Sequence, residues 1–187
     1  MDVQPLIDQL SALVPGAELA PAPSADTDVT PALWVSAAHI LPVCLALRDA
    51  PGLEYHAFSN VTAADHHPKR LPRFDVVYHL VSPHRRARLR LKVQLGLDEP
   101  IASVTSVWAG AGWCEREIYD LFGIVFDGHA DLRRLMMTED WVGHPLRKDY
   151  PLGGEPVDFD HDRTNPRFAH LGKQIMVGPS YLTALPE

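Results

Sequence analysis

The sequence is poor in cysteine, in long apolar runs and in positive charge, and each shortage excludes a class of function. Only Cys44 and Cys114 occur in 187 residues. They fit no CxxC spacing, so buried free thiols are expected rather than a disulfide framework or a zinc site. An iron–sulfur cluster usually takes four thiolates, which this chain cannot supply by itself. No stretch approaches the roughly 18 apolar residues of a membrane-spanning helix. The opening MDVQPLIDQL is acidic and amphipathic, and reads unlike a secretory signal. With 17 Lys and Arg against 24 Asp and Glu, the net charge is -7, which argues against a general polyanion binder.

Proline is the opposite case. There are 17 in the chain, about twice the usual share of ~5%, and they punctuate the elements. Val3, Leu6, Ile7, Leu10, Leu13 and Val14 recur at helical spacing up to Pro15-Gly16, giving a short first helix. Residues 17–20 form a brief strand, PAPSADTDVTP (21–31) a loop, and Leu33-Trp34-Val35 a second short strand. A second helix is expected over 38–49, with Ile40, Leu41, Cys44, Leu45 and Leu47 inward and Pro42 delaying or kinking its start. Residues 53–61 return as a strand.

The clearest pattern follows. Phe74, Val76, Tyr78 and Leu80 alternate in one strand, and Leu89, Leu91, Val93 and Leu95 in the next, with a turn at Ser82-Pro83-His84-Arg85. Arg88, Arg90, Lys92 and Gln94 occupy the other face, so the hairpin has one buried and one wet side. Gly110-Ala111-Gly112 leads into a third helix on which Cys114, Ile118, Leu121 and Phe122 share a face. Glu115 and Glu117 are expected in its first turn, and Gly123 as its left-handed cap. Beyond it no period persists. The expected architecture is α+β, a mixed or antiparallel sheet with helices on one face, over residues 1–124. An extended irregular C-terminal arm over 125–187, built to bind a partner, follows.

Charges of both signs and aromatics crowd into Trp113–Leu152. His129, Asp131, His144 and Asp149 could be taken for metal ligands, but their spacing across Pro and Gly matches no ligand pair of the HExxH kind. Arg133, Arg134, Arg147 and Lys148 beside them would repel a cation. Salt-bridged, partner-facing residues are the better reading. Glu115 and Glu117, two apart on a helix, point in different directions and make a poor acid–base pair. His66-His67 reads as a solvated loop, and Gly110-Ala111-Gly112 fails the context of a dinucleotide turn. The basic hairpin face could suit single-stranded nucleic acid, yet the net charge favours a salt-bridged sheet face. No nucleophile elbow or Cys-His signature is present. Arg and aromatic residues alternating along an arm with no core of its own point to burial against other protein.

These residues carry a resemblance. Glu115-Arg116-Glu117, two residues, Asp120-Leu121-Phe122, six residues, His129, three residues and Arg133 form a pattern similar to the signature of the 30 kDa subunit of respiratory complex I, NADH–quinone oxidoreductase. DLRRLMMTEDWVGHPLRKDYPL and the upstream RFDVVYHL (73–80) resemble the family as well. The likeness is strongest from Phe74 to Leu152, and 1–30 and 153–187 carry little of it. Ala130 and Thr138 stand where the family has proline, which affects loop geometry rather than charge.

The resemblance implies a peripheral-arm subunit with no cofactor of its own. FMN, Fe-S clusters and quinone would be bound by partner subunits. It would pack against the quinone-site 49 kDa-type subunit and near the terminal Fe-S cluster subunits. It would sit on the cytoplasmic side of the cell inner membrane, peripherally and through the complex, with no nucleic acid. It also implies that Glu115, Arg116, Glu117, Tyr119, Asp120, His129, Asp131, Arg133, Arg134, Glu139, Asp140, Trp141, His144, Arg147, Lys148, Asp149 and Tyr150 serve contacts between subunits or anchor the arm. The equivalent subunit of a related membrane-bound hydrogenase or other donor-dependent dehydrogenase is the alternative, and a nucleic-acid-binding module the alternative of a different class.

Overall fold

A computed structural model describes residues 3–23 and 30–151. Part of the 21–31 loop and the expected arm beyond Pro151 therefore lie outside the described residues. The elements run α1 (Gln4–Leu13), β1 (Leu19–Pro21), β2 (Ala32–Val35), α2 (Ile40–Asp49), β3 (Ala57–Asp65), β4 (Phe74–Ser82), β5 (Ala87–Leu95), β6 (Ile101–Ala102), α3 (Ala111–Phe122) and β7 (Phe126–Asp127). This is the expected α+β class.

Five strands make one mixed sheet in the order β1-β2-β5-β4-β3, and β6 and β7 form a separate parallel pair. The β4–β5 hairpin is in register from Phe74↔Leu95 to Ser82↔Ala87. β2 joins β5 in parallel, with Leu33 opposite Leu91, and the other neighbours are antiparallel. The alternating apolar residues of the hairpin are all buried. They share one core with Ile7 and Leu10 of α1, Ile40, Val43, Cys44 and Leu47 of α2, and Ile118 and Phe122 of α3. A period of two on the strands thus meets a period of 3.6 on the helices along a single apolar seam.

Several expectations shift for local reasons. A 3-10 turn over Ala37–His39 leads into α2, which places Pro42 in the first turn, where its missing N–H loses no bond. Positions 40, 43, 44 and 47 then face inward, and Leu45, expected in the core, is 37% exposed. The strand expected over 53–61 starts only at Ala57. Residues 51–53 continue the turn after α2, and the Tyr55 N–H returns to the Leu47 carbonyl at 2.9 Å. The expected wet face of β5 is only half-exposed at Arg90, Lys92 and Gln94. The Lys92 ammonium lies 5.5 Å from the Trp34 ring centroid and donates to the Pro23 carbonyl at 3.1 Å.

The chain divides into two compact units, Met1–Asp149 and Tyr150–Glu187. Residues 125–149, which follow α3, belong to the first. From Gly128 to Asp149 the backbone holds no helix or strand, but it is packed as part of that unit by the bonds described next.

Candidate functional site

α3 carries the charged signature, and its burial is the reverse of what an amphipathic stripe suggests. Ala111, Glu115, Ile118, Asp120 and Phe122 are buried, whereas Cys114 and Leu121 are only partly so. The helix begins at Ala111, so Glu115 and Glu117 lie beyond its first turn, which holds no acidic residue. Two fully buried carboxylates on one short helix must each be satisfied by fixed donors, because an unpaired buried charge is among the costliest groups in a protein.

Asp120 is satisfied by the segment that follows. Its Oδ2 accepts the successive N–H groups of Leu135, Met136 and Met137 at 3.0, 2.7 and 2.8 Å. Its Oδ1 accepts Arg134 Nη1 at 2.8 Å. Burial pushes the carboxyl up, but these donors outweigh it and hold it at about 2. Three consecutive backbone N–H groups aimed at one oxygen form an anion-binding concavity, here filled by the chain's own side chain. Arg134 extends the link, donating through Nη2 to the Trp141 and Gly143 carbonyls at 2.9 and 3.0 Å.

The last carbonyls of α3 would otherwise be orphans. His144 Nδ1 meets the Asp120 carbonyl at 2.9 Å, the Leu146 N–H donates to the Leu121 carbonyl at 3.1 Å, and Arg147 Nε to the Phe122 carbonyl at 2.6 Å. Because a carbonyl only accepts, Nδ1 of His144 carries the proton in this arrangement. Burial lowers the His144 pKa and favours the neutral ring. Arg134 and Arg147 also place positive charge at the negative end of the helix dipole. Gly123 caps the helix at φ 76, and a Cβ there would overlap Arg147 and His144. Only glycine fits this closure. Arg116 reaches the same segment, donating to the Arg133 and Arg134 carbonyls at 3.2 and 3.0 Å and lying 5.0 Å from the Trp113 ring centroid.

A second clasp closes the segment on the sheet. Arg73, at the foot of β4, is paired with Asp65 at 2.7 and 3.0 Å and with Asp149 at 2.7 and 2.8 Å. The N–H groups of His67 and Lys148 complete Asp65 at 2.9 and 2.8 Å. Burial acts against the Asp65 charge, yet the Arg73 guanidinium and these two N–H groups hold its carboxyl far below the usual range. Asp149 is lowered chiefly by Arg73. The Arg73 guanidinium lies 5.0 Å from the Phe74 ring centroid, and Phe74 packs edge-on against Phe122 at 6.4 Å.

Glu115 turns the other way. Ser103 Oγ and the Val104 N–H donate to it at 2.6 and 2.8 Å, and burial raises its pKa against their pull. His129 donates through Nε2 to the Gly112 carbonyl at 3.1 Å, while its Nδ1 accepts the Asp131 N–H at 3.1 Å.

Of the signature residues, the structure brings Arg116, Asp120, Arg134, His144 and Arg147 together, with carbonyls from Arg133 and Trp141. Tyr119 packs its ring 6.2 Å from that of His144, and Asp149 and the Lys148 N–H join the second clasp. Glu117, Glu139 and Asp140 are exposed, Asp131 and Arg133 form an exposed pair at 2.9 Å, and Tyr150 opens the second unit. Of the two roles expected for these charges, Asp120, Arg134, His144 and Arg147 form bonds of the arm-anchoring kind, within their own chain. His144 and Arg147 meet carbonyls at the helix end, whereas Arg134 donates to the Asp120 carboxylate and to the Trp141 and Gly143 carbonyls. The expectation of a solvated His66 is corrected too: its Nε2 sits 2.9 Å from Asp75, which also pairs with Arg70.

Sequence reasoning missed Arg73, Asp65 and Ser103. Arg73 stood directly before the alternating strand, a position usually occupied by a solvated flank. Nothing in the local pattern around Asp65 or Ser103 marked them. Among the described residues no group of His, Cys, Asp and Glu converges to hold a metal, and no helix is long and apolar enough to cross a membrane. Cys44 is buried, and its thiol pKa is raised by that burial.

The matching family is described as respiratory-chain NADH dehydrogenase, 30 Kd subunit, over residues 33–156. A relative from Saccharopolyspora erythraea, the C-type subunit of NADH-quinone oxidoreductase, is 47% identical over 67% of this chain, and the match spans only 51% of that relative. The protein of the same name from Roseiflexus sp. is 43% identical over 85% of this chain and 90% of its own length. Among solved structures, the trypsin-resistant fragment (1-134) of Nqo5 matches at 28% identity and TM-score 0.53, over 71% of this chain and 100% of the fragment. A chain of a membrane-bound sulfane sulfur reductase, an archaeal respiratory membrane complex, shares the fold at TM-score 0.62 and 18% identity, over 95% of this chain and 94% of its own. The signature on α3, its clasps and the match over residues 33–156 coincide, and the chain belongs to the respiratory-chain NADH dehydrogenase 30 Kd subunit family.

Proposed function

We propose that this chain is a cofactor-free scaffold in the peripheral arm of a proton-translocating NADH–quinone oxidoreductase, holding the quinone-reducing module while partner subunits carry FMN, Fe-S clusters and quinone. One observation carries the reading: Asp120 on α3 and the Arg73–Asp65 pair fix the irregular segment 128–149 in place, and that segment and α3 turn large apolar side chains to solvent. Trp113, Met136, Val142 and Leu146 are exposed, Val142 at 85%. Apolar residues held rigidly outward by a costly internal network are what an interface needs, since little ordering entropy remains to be lost on binding.

On this reading the partners are the quinone-site 49 kDa-type subunit and the terminal Fe-S cluster subunits. The chain is then peripheral on the cytoplasmic side of the inner membrane and held there through the complex. Its part in catalysis is positional. NADH as the donor is supported by the identity to the NADH-quinone oxidoreductase relatives.

The test is Val142→Asp and, separately, Arg116→Ala in the native host. Both are expected to reduce co-purification of flavin- and cluster-bearing chains and quinone reductase activity together, while the variant chain itself stays folded. Wild-type assembly and activity in both variants would sink the assignment.

A further inference from the structure

A cavity of about 490 Å³ opens at the turn of the β4–β5 hairpin, walled by Leu6 of α1, Leu53 and Tyr55 after α2, and Arg85, Arg86 and Arg88 of the hairpin. Its volume lies in the range of small-ligand and side-chain pockets, about 300–1,000 Å³. It is remote from the clasps on α3. Phe74, which touches Phe122, stands at the far end of β4 from the turn, and nine residues of strand (Phe74–Ser82) span roughly 26 Å at ~3.3 Å per residue.

The walls are of two kinds. Val3, Pro5, Leu6 and Leu53 are apolar, and Arg85, Arg86 and Arg88 bring three guanidinium groups, with no carboxylate among the described lining residues. Arg85 donates to the Gly52 carbonyl, a neutral acceptor, and forms no ion pair among the described residues. Arg86 and Arg88 form no ion pair among the described residues. Arg86 moreover has φ 50, a left-handed turn position where Gly or Asn is the unstrained choice. Arg85, Arg86 and Arg88 are exposed and gather three like charges at one mouth, in a chain of net charge -7. Such a patch is complementary to a ligand carrying negative charge.

We propose that this cavity is a docking pocket for a short acidic segment of a partner polypeptide, with carboxylates on the arginines and one apolar side chain on a floor of Val3, Pro5 and Leu6. Guanidinium forks match carboxylates in a bidentate way. The apolar half of the cavity selects a peptide over a bare anion or a sugar–phosphate chain, either of which would leave that floor facing only water. The pocket would be a second contact surface, and the inference does not depend on which complex the chain enters.

The experiment is fluorescence anisotropy on the full chain, with a labelled peptide Asp-Glu-Leu-Asp-Glu as the probe. Two control peptides replace the central Leu by Ser, or the four acids by Asn and Gln, and inorganic triphosphate serves as a competitor. The acidic Leu peptide is expected to bind, and to weaken as salt rises from about 50 to about 500 mM. Its affinity should fall roughly tenfold or more in Arg86→Glu/Arg88→Glu. Arg86→Gly relieves the backbone strain, so its urea midpoint should stay level or rise while binding weakens, which separates loss of the site from loss of the fold. Absence of binding, equal binding of the Ser peptide or of triphosphate, or full affinity in the double charge reversal would each overturn the proposal.

Discussion

Asp120→Asn tests the central clasp most directly. In the folded chain the carboxylate accepts three backbone N–H groups and the Arg134 guanidinium, and its pKa stands at about 2 against an ordinary 3.8. A pH unit of depression is worth about 1.4 kcal/mol, so the ionised group contributes about 2 kcal/mol near neutrality. Asparagine removes that and leaves Arg134, whose side chain is only 18% exposed, without its counter-charge. It also turns an amide N–H₂ toward at least one existing donor. Breaking one side of a buried pair costs about 3–5 kcal/mol. We therefore expect Asp120→Asn to lose about 3 kcal/mol at pH 7, a large share of a typical total of about 5–15 kcal/mol.

Urea unfolding followed by tryptophan fluorescence measures it, with Trp141, whose carbonyl accepts Arg134, close to the change. The pH dependence supplies a sign. A depressed carboxyl contributes fully above its unfolded value and loses that contribution as pH falls through its folded value. The gap between wild type and variant should hold above about pH 5 and narrow from there toward pH 2. A gap under about 0.5 kcal/mol at pH 7, within the range of ordinary surface substitutions, would refute the reasoning. So would a gap that ignores pH.

Arg73→Ala strands the buried Asp65 and should cost about 3–5 kcal/mol. Asp149→Ala, at a side chain 48% exposed, should cost only about 1 kcal/mol or less. Paired urea titrations compare them, and the reverse ranking would show that the clasp is held from the Asp149 side. Glu115→Gln should stay within about 1 kcal/mol of wild type at neutral pH, since its amide can accept from the Val104 N–H and donate to Ser103 Oγ. Because burial raises the Glu115 pKa, its favourable contribution belongs to the protonated form. It is complete below the ordinary carboxyl value and lost as pH rises through the folded one. Thermal midpoints measured across pH should therefore show the variant gaining on wild type as pH rises, and a variant that loses ground would contradict the assignment.

Local sequence alone specifies the alternating β4–β5 hairpin, the three helices, the glycine cap at Gly123 and the family pattern from Glu115 to Arg133. Each is written in local periodicity or fixed spacing, which act over a few residues and need no knowledge of distant partners. It also shows that Trp113–Leu152 is too charged and irregular to hold a core of its own. It does not show where those charges point. Asp120 lies among apolar neighbours on α3, and only the return of Arg134 and the N–H groups of 135–137 makes its burial tolerable. Arg73 finds Asp149 across 76 residues of chain, a pairing that no periodicity encodes. That Asp120, Arg134, His144, Arg147 and Asp149 close on the helix end and the sheet is visible only in the folded chain. Desolvation makes a buried carboxylate tolerable only where its donors have already been brought together, and sequence spacing does not say where those donors lie.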